Sequence, residues 1–220
     1  MRRLVSKSGI AVLPAVILTL SMGCTSGRMV KALPQPELIR LLREGGQVIY
    51  MRHPKADVGF DTPRRGEWWK GCGDGYRMLS DSGRADAVRV GEAIRRLRIP
   101  IHEVLCSEYC RTVETARLLA LGEPKPDARL NHWRARLSVD PENGHKHMVS
   151  DTRSMLATKP AEGNVLLVSH KQDFRGPADL ALADLRDGEC AVYTPDGRGG
   201  YALRGRIQVS DWAKLEAAGP

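Results

Sequence analysis

The sequence predicts a three-layer α/β/α fold, in which a mostly parallel β-sheet lies between helices and carries an antiparallel C-terminal hairpin. Short apolar runs typical of buried strands alternate with longer segments whose apolar residues recur at helical spacing. Near the C-terminus, two strand-like runs flank the turn sequence Pro-Asp-Gly-Arg-Gly-Gly at residues 195–200, which indicates a hairpin. The length of 220 residues and the apolar content of 42% suit one folded domain.

The first helix and the first strand are predicted between residues 36 and 51. Pro36 suits the first turn of a helix, and the glycine pair at 45–46 suits its end. Residues 47–51 then form the first strand. Residues 54–78 follow as a long loop rich in glycine, proline and tryptophan, and a loop of that length is usually functional or disordered.

The later elements are predicted from caps and periodicity. Residues 80–82 offer N-caps for a helix with apolar residues at 3-4-3 spacing, which Pro100 ends. The later segments are predicted as a strand at 103–106, a helix at about 111–120, a helix around 146–157 and a strand at 164–169. Two hairpin strands are predicted at 189–194 and 201–209. Residues 122–144, with three prolines and several charges, are expected to be irregular.

The first 24 residues are predicted to be an export signal. Three cations and no acid accompany a twelve-residue apolar stretch at 9–20, which is shorter than the about 20 residues that a bilayer span needs. Residues 20–24, Leu-Ser-Met-Gly-Cys, resemble the lipobox of bacterial lipoproteins, which implies lipidation of Cys24; ordinary cleavage near this point is the alternative. We therefore expect a periplasmic or cell-envelope protein that is anchored to the membrane through Cys24.

The rest of the chain divides into a tether at residues 25–33 and a folded domain at residues 34–215. The formal charge is +8, and removal of the three signal-peptide cations leaves +5 for the remainder. This mild basic excess lacks the aromatic interleaving of a nucleic-acid binder, so no nucleic-acid partner is expected. An anionic substrate or an anionic membrane surface explains it equally well.

Basic motifs follow three of the predicted strands. Arg52 and His53 come directly after the first strand, Arg111 follows the second, and His170 follows the strand at 164–169. Ligands in α/β folds bind outside the carboxyl ends of the strands, so these side chains are expected to converge. Phosphoryl transfer needs fixed positive charge around the phosphate, and a neutral histidine can attack phosphorus. The sequence therefore predicts a phosphoryl-transfer site.

These motifs resemble those of the histidine phosphatase superfamily, the phosphoglycerate mutase-like fold. Residues 52–54, Arg-His-Pro, resemble its Arg-His-Gly signature, and residues 107–116 keep every element but the proline of Ser-Pro-x-x-Arg-x-x-x-Thr-Ala. Residues 79–85 resemble its Leu-[Ser/Thr]-x-x-Gly helix start, and residues 165–170 resemble the late strand that ends in a second histidine. The resemblance runs from about residue 46 to residue 207, and other features are similar to those of exported bacterial members.

The resemblance implies a phosphatase that hydrolyses a phosphate ester or a phosphoramidate through a phosphohistidine. His53 is then the nucleophile, Arg52 and Arg111 bind the phosphate, and His170 is a second phosphate-binding histidine. Ser107 begins the motif that presents Arg111, and its hydroxyl or backbone is expected near the phosphate. No cofactor and no metal ion are implied, and the expected partner is a small phosphorylated substrate. A phosphorylated envelope glycan or lipid is one possibility.

Three departures from the family pattern are visible. Pro54 replaces the usual glycine, and Lys171 stands where glycine is common and either adds charge to the pocket or points to solvent. No general acid is evident: His132 occupies the position where an acid is usual, and the other candidates are Asp140, Glu142, Asp57 and Glu189. These departures motivate an alternative function, a catalytically degenerate envelope lipoprotein that binds phosphate-bearing ligands.

Four cysteines remain after Cys24, and four cysteines allow three disulfide pairings. Cys72 with Cys110 is the first choice, because both lie in predicted loops near the proposed active face. Cys106 and Cys190 lie within apolar runs, where a cysteine is often simply a small buried residue.

Three further features each have a structural explanation as well as a functional one. Arg111 at a helix N-terminus opposes the helix dipole, which indicates an anion beside it, and a salt bridge with Glu108 or Glu114 is the structural alternative. A metal site is one interpretation of His145 and His147, and a solvated loop is the favoured one. The tryptophan pair at 68–69 either lines a substrate rim or plugs the long loop into the core.

Overall fold

The computed structural model describes residues 27–28, 31–57, 59, 61, 66–73, 75–172 and 179–217. The predicted export signal, with its lipobox and Cys24, lies outside the described residues. The strands are β1 Gly27–Arg28, β2 Val48–Arg52, β3 Ile101–Cys106, β4 Pro124–Pro126, β5 Asn164–Ser169, β6 Cys190–Pro195 and β7 Tyr201–Ile207. The helices are α1 Gln35–Glu44, α2 Asp81–Arg96, α3 Cys110–Leu119, α4 Trp133–Val139, α5 Gly144–Ala157 and α6 Val209–Ala217.

The strands form one mixed sheet in the order β1-β7-β6-β2-β5-β3-β4. Strands β2, β5, β3 and β4 are parallel to one another. Strand β6 is antiparallel to both β2 and β7, so the C-terminal hairpin packs directly on the parallel part of the sheet. The predicted fold class, a mostly parallel sheet with an antiparallel terminal hairpin, is confirmed.

Both faces of the sheet are buried, which gives the molecule its three layers. In β2, Ile49 and Met51 face a cluster formed with α1, α2, α3 and α6, whereas Val48 and Tyr50 face a cluster formed with α5. Successive residues of a strand point to opposite faces, so a strand buried on both faces must be apolar throughout. This explains why the predicted strands are continuous apolar runs.

The helix starts near the predicted site are fixed by caps and close contacts. The hydroxyl of Ser80 accepts a hydrogen bond from the Gly83 amide, as a helix N-cap does. A Cβ at Gly83 would lie 2.0 Å from the Lys55 carbonyl oxygen, and one at Gly91 would lie 2.0 Å from that of Leu119. Glycine at these two positions therefore lets α2 pack closely against the segment after β2 and against α3.

Two predictions about local structure were wrong. Residues 122–144 were expected to be irregular but contain β4 and α4, and His145 and His147 lie within α5 rather than in a loop. Helix α4 has only seven residues, too few for a periodic pattern, and it is stabilised by packing such as that of its buried Ala135. Helix α6 was not predicted, although Trp212 and Leu215 attach it to the core.

Among the helices that the structure describes, none combines the length and the apolar character that a bilayer crossing requires.

Candidate active site

Three of the predicted site residues meet at the carboxyl ends of neighbouring strands. His53 follows β2, His170 follows β5 and Ser107 follows β3, and these strands are adjacent in the order β2-β5-β3. The two imidazole ring centroids are 5.3 Å apart. Arg111, at the start of α3, lies between them, with Nε 3.1 Å from His53 Nε2 and Nη2 3.4 Å from His170 Nδ1.

Hydrogen bonds place the His53 ring with its Nε2 facing Arg111. Nδ1 lies 2.7 Å from the Pro54 carbonyl oxygen, which can only accept, so Nδ1 carries the proton. Nε2 then accepts from the Nε–H of Arg111 and keeps its lone pair on the side of the guanidinium. A neutral imidazole held in this tautomer has the form that a nucleophile needs.

A second chain of hydrogen bonds orients His170. The Ser107 hydroxyl donates to Asn131 Oδ1 at 3.0 Å, so it accepts from His170 Nε2, which is also 3.0 Å away. The Nδ1 atom of His170 therefore faces the guanidinium of Arg111 as an acceptor. Ser107 is fully buried, and its hydroxyl is engaged by His170 and Asn131, so its structural role is to position His170.

Both histidines are neutral in the folded protein. Burial lowers the pKa of His53 well below the usual histidine value, and the positive charge of Arg111 lowers it further. Burial has the same effect on the pKa of His170, again followed by the charge of Arg111. Lone pairs on both rings are thus available around the guanidinium at neutral pH.

Arg111 is buried and is held by an acidic residue that the sequence analysis did not identify. Its Nη1 and Nη2 atoms donate to the two carboxylate oxygens of Asp61, each at 2.9 Å. Arg111 thus has the anionic neighbour that its helix position indicated, but Glu108 pairs with Lys70 and Glu114 pairs with Arg84. The Asp61 carboxylate occupies the planar fork of Arg111, a geometry that also suits a phosphate.

Arg52 is fixed by partners on the side of the sheet hairpin. Its Nη1 donates to the Leu185 carbonyl oxygen at 2.7 Å, and its Nη2 lies 2.6 Å from Asp187 Oδ1. The side chain is partly buried and lines the same cavity as His53 and Arg111. Its guanidinium is therefore a preorganised positive charge at the end of β2.

The tryptophan pair of the long loop is part of a buried aromatic cluster. Trp68 and Trp69 pack with Tyr109 and Ala135, and Trp69 Nε1 donates to Glu108 Oε2 at 2.9 Å. The same carboxylate oxygen accepts from the Asn131 amide. The pair therefore ties the loop to the strand-end network, as the core-plugging alternative predicts.

A cavity of about 320 Å³ opens over these side chains. Ten of the described residues line it: Arg52, His53, Asp61, Arg77, Arg111, His132, Trp133, Arg134, His170 and Lys171. Of the acid candidates from the sequence, His132 lines this cavity, with its ring 5.4 Å from that of His170. Asp57, Asp140, Glu142 and Glu189 are not part of the lining, and Glu189 is bound to Arg206.

Sequence analysis missed Asp61, Arg77 and Arg134 as site residues. The first two come from the long loop after β2, and Arg134 comes from α4, which was not predicted. The length of the loop was the only signal for the first two, because an irregular segment has no periodicity that assigns its side chains to a face.

The predicted disulfide between Cys72 and Cys110 is present, with the two Cα atoms 5.4 Å apart. Cys110 directly precedes Arg111, so the bond links the long loop to the helix turn that carries the guanidinium. Cys106 and Cys190 are free and buried, as the apolar-run interpretation predicts. Burial raises their thiol pKa values to about 11 and about 12.

A larger cavity of about 660 Å³ lies between α2 and α6. Its lining includes Arg89 and Arg96 of α2. Arg89 pairs with Asp86, and Arg96 pairs with Glu92, each one turn earlier on the same helix. In the described part of the chain, no three His, Cys, Asp or Glu side chains are grouped in a way that could hold a metal ion.

Comparison with known proteins gives one family match. Residues 48–137, which include Arg52, His53 and Arg111, match the model of the histidine phosphatase superfamily (branch 1). His170 lies beyond the matched segment. No curated protein sequence matches the chain. The resemblance to this superfamily is thus confirmed.

Several solved structures are similar at low sequence identity. The protein histidine phosphatase SixA, complexed with tungstate, is 15% identical, covers 75% of this chain and 98% of its own, and gives a TM-score of 0.47. A mycobacterial hydrolase is 16% identical, with coverages of 79% and 97% and a TM-score of 0.46. A mycobacterial glucosyl-3-phosphoglycerate phosphatase in complex with VO3 is 15% identical, with coverages of 72% and 97% and a TM-score of 0.47.

Proposed function

Given its confirmed resemblance to the histidine phosphatase superfamily, we propose that this protein is a phosphatase that forms a phosphohistidine on His53. The superfamily match supports phosphatase activity in general. The observation that carries the mechanism is the tautomer of His53: Nδ1–H donates to the Pro54 carbonyl, and Nε2 faces Arg111. The reactive lone pair of His53 and the guanidinium of Arg111 therefore face each other in one buried site.

In this mechanism the phosphoryl group sits between Arg111, Arg52 and His170. Nε2 of His53 attacks phosphorus, the bond from phosphorus to the leaving group breaks, and a phosphohistidine forms. The fixed charges of Arg52 and Arg111 stabilise the charge on the equatorial oxygens. Water then attacks the phosphohistidine and releases phosphate, and Nε2 regains its lone pair.

An ester leaving group must receive a proton as its bond to phosphorus breaks. Asp61 and His132 line the cavity beside the phosphate-binding groups. An incoming phosphate dianion displaces the Asp61 carboxylate from Arg111, and Asp61 and His132 are then the two candidates to supply this proton. A phosphoramidate such as phosphohistidine is a better leaving group and depends less on this proton.

The departures from the family pattern leave the required contacts in place. Pro54 lacks an amide N–H, but the contact that orients His53 uses the proline carbonyl. Lys171 lines the cavity and adds positive charge to it. These contacts support turnover over the alternative function of a degenerate ligand-binding lipoprotein.

The proposed activity is tested with 4-nitrophenyl phosphate. Purified protein should release phosphate, and His53→Ala should lower kcat by roughly 10⁴-fold or more, because loss of a nucleophile removes the covalent route. The matched control is His102→Ala, an exposed histidine near the opposite end of β3 that should leave the rate unchanged. Rapid quenching should trap an acid-labile phosphoprotein in the wild type alone. Equal rates in wild type and His53→Ala would refute the proposal.

Export and lipid anchoring at Cys24 form part of the same proposal. The Cys72–Cys110 disulfide supports an oxidising compartment such as the periplasm. Radioactive palmitate should label the wild-type protein in cells and leave Cys24→Ser unlabelled, and the wild type should fractionate with membranes. Unlabelled protein in the cytoplasmic fraction would contradict the anchor. A phosphorylated envelope glycan or lipid is then the expected substrate pool, and loss of the protein should change the phosphate content of the envelope.

A further inference from the structure

Two arginines on the wall of the active-site cavity have no acidic partner among the residues that the structure describes. Arg52 pairs with Asp187, and Arg111 pairs with Asp61. Arg77 and Arg134 also line the cavity, yet in the part of the chain that the structure describes neither forms an ion pair or a side-chain hydrogen bond. Both side chains are therefore available to a ligand.

Arg77 lies close to the catalytic centre. After burial and the charges of Arg111 and Arg52, the charge of Arg77 also lowers the pKa of His53. It also opposes ionisation of Arg111, whose pKa is lowered mainly by burial. A cation in this position repels the phosphate-binding guanidinium, and a bound anion would offset that repulsion.

Arg134 extends the positive surface to another part of the cavity. It lies on α4, and its guanidinium carbon is 5.3 Å from the centre of the Trp133 ring. The charge of Arg134 acts on the buried Tyr109, whereas that of Arg77 acts on His53 and Arg111. The two arginines therefore reach the cavity from different elements, Arg77 from the long loop and Arg134 from α4.

The charge of the lining exceeds what one phosphate requires. Among the described residues, five cationic side chains and one carboxylate line the cavity, and both histidines of the centre are neutral. A phosphate monoester carries at most two negative charges, fewer than the net positive charge of these six side chains. The volume of about 320 Å³ is at the lower end of ligand cavities and admits a small molecule around the phosphate.

We propose that Arg77 and Arg134 form a second anionic subsite, so the substrate carries a further phosphate or carboxylate on the group that leaves with the oxygen. The substrate class is a small polyanionic phosphate ester, such as a sugar bisphosphate. This inference rests on the proposed function for its reaction, but the binding that it implies is independent of turnover.

The test compares glucose 6-phosphate with glucose 1,6-bisphosphate. Binding is measured by calorimetry on full-length His53→Ala protein, which cannot turn over either ligand. The bisphosphate should bind at least about tenfold more tightly at low salt, because a charge-assisted contact of about 1.4 kcal/mol is worth a factor of ten. Arg77→Gln and Arg134→Gln should each reduce this preference by roughly three- to tenfold, and added salt should reduce it as well.

Controls separate the subsite from general effects. Arg77→Lys should keep most of the preference, since it keeps the charge, and Arg89→Gln in the α2–α6 cavity should leave the preference intact. Melting temperatures establish that each variant is folded. Equal affinity for the two ligands, or a preference that survives both glutamine substitutions, overturns the subsite. Turnover of 4-nitrophenyl phosphate by the wild type tests the proposed function separately, so either idea can fail alone.

Discussion

Two cavities of this protein differ in how their arginines are neutralised. In the cavity between α2 and α6, Arg89 and Arg96 each pair with an acid three or four residues earlier on the same helix. In the cavity at the strand ends, the cations come from separate parts of the chain, and Asp61 is the one carboxylate that lines the wall among the described residues. The first arrangement is neutral without a ligand, whereas the second has an excess of positive charge.

The difference indicates which positive charges are candidates for binding a ligand. A helix readily places opposite charges one turn apart, and such exposed pairs contribute little to stability. Arg111, in contrast, is buried between two neutral imidazoles and a carboxylate, an arrangement that costs desolvation energy. A cluster of this kind is typical of a functional site rather than of a stabilising contact.

The largest expected effect is a difference in activity loss between a variant of Arg111, in the active-site cavity, and a variant of Arg89, in the α2–α6 cavity. Arg111→Ala should lower kcat/KM for 4-nitrophenyl phosphate by about 10³-fold, because an arginine that stabilises the transferring phosphoryl group is worth that much. Arg111→Lys should also lose most of the activity, since an ammonium group lacks the planar pair of N–H donors that contact a phosphate bidentately. Arg89→Ala should change kcat/KM by less than about twofold. Steady-state kinetics measure all three, and similar losses for Arg111→Ala and Arg89→Ala would remove the distinction.

The second effect concerns the cross-link beside the active-site cavity. Loss of the disulfide, which spans 38 residues, should lower the free energy of unfolding by about 3–4 kcal/mol in the chain-entropy picture. Urea unfolding should show that dithiothreitol destabilises the wild type and Cys106→Ala but not Cys72→Ala/Cys110→Ala. A reductant effect that persists in the double variant would point to another origin.

The third effect asks what the Asp61 carboxylate does in the Arg111 fork. Asp61→Asn should lower the free energy of unfolding by about 1–3 kcal/mol in phosphate-free buffer, because Arg111 loses its charged partner. Added phosphate should restore the lost stability. Vanadate should bind this variant more tightly than the wild type, since no carboxylate competes for Arg111. Thermal melts with and without phosphate measure both changes.

The matched control for that experiment is Asp57→Asn. Asp57 lies in the same loop, but its side chain is exposed and does not line the cavity. Neither its stability nor its vanadate affinity should change. If both variants behave alike, Asp61 does not compete for the phosphate site.

The smallest expected effect is the pH dependence of stability. His53 and His170 have lowered pKa values in the folded state, so the unfolded chain binds more protons below its own histidine pKa of about 6.5. Stability should therefore fall by about 1 kcal/mol per histidine between pH 7 and pH 5.5, and this loss continues down to the lowered folded pKa. Urea unfolding at each pH should show a weaker loss in His53→Gln and His170→Gln and an unchanged loss in the control His102→Gln.

Much of the fold and the centre of the site were predictable because they depend on short-range sequence patterns. A strand buried on both faces is an apolar run, and the residue after it lies at the carboxyl edge of the sheet. This logic brought His53, Arg111 and His170 together, and the structure places them in contact. The Cys72–Cys110 pairing followed from the same edge, since both cysteines border it.

The parts that escaped prediction lack such a pattern. Asp61 and Arg77 lie in a long loop, and only the path of that loop decides which of its charged side chains reach the cavity. Helix α4 is too short for a hydrophobic period, so Arg134 was not placed on any face. The partner of Arg111 was expected among nearby glutamates, but those glutamates bind Lys70 and Arg84 instead.

The sequence by itself determined the buried strands, the longer helices around them and the basic residues that follow the strand ends. These depend on local periodicity and on the rule that ligands bind at the carboxyl ends of parallel strands. The tertiary structure alone decided the tautomers of both histidines, the carboxylate in the Arg111 fork and the two cavity arginines that have no acidic partner within the described residues. Those features depend on distances of about 3 Å between residues far apart in the chain, and such distances are set by packing.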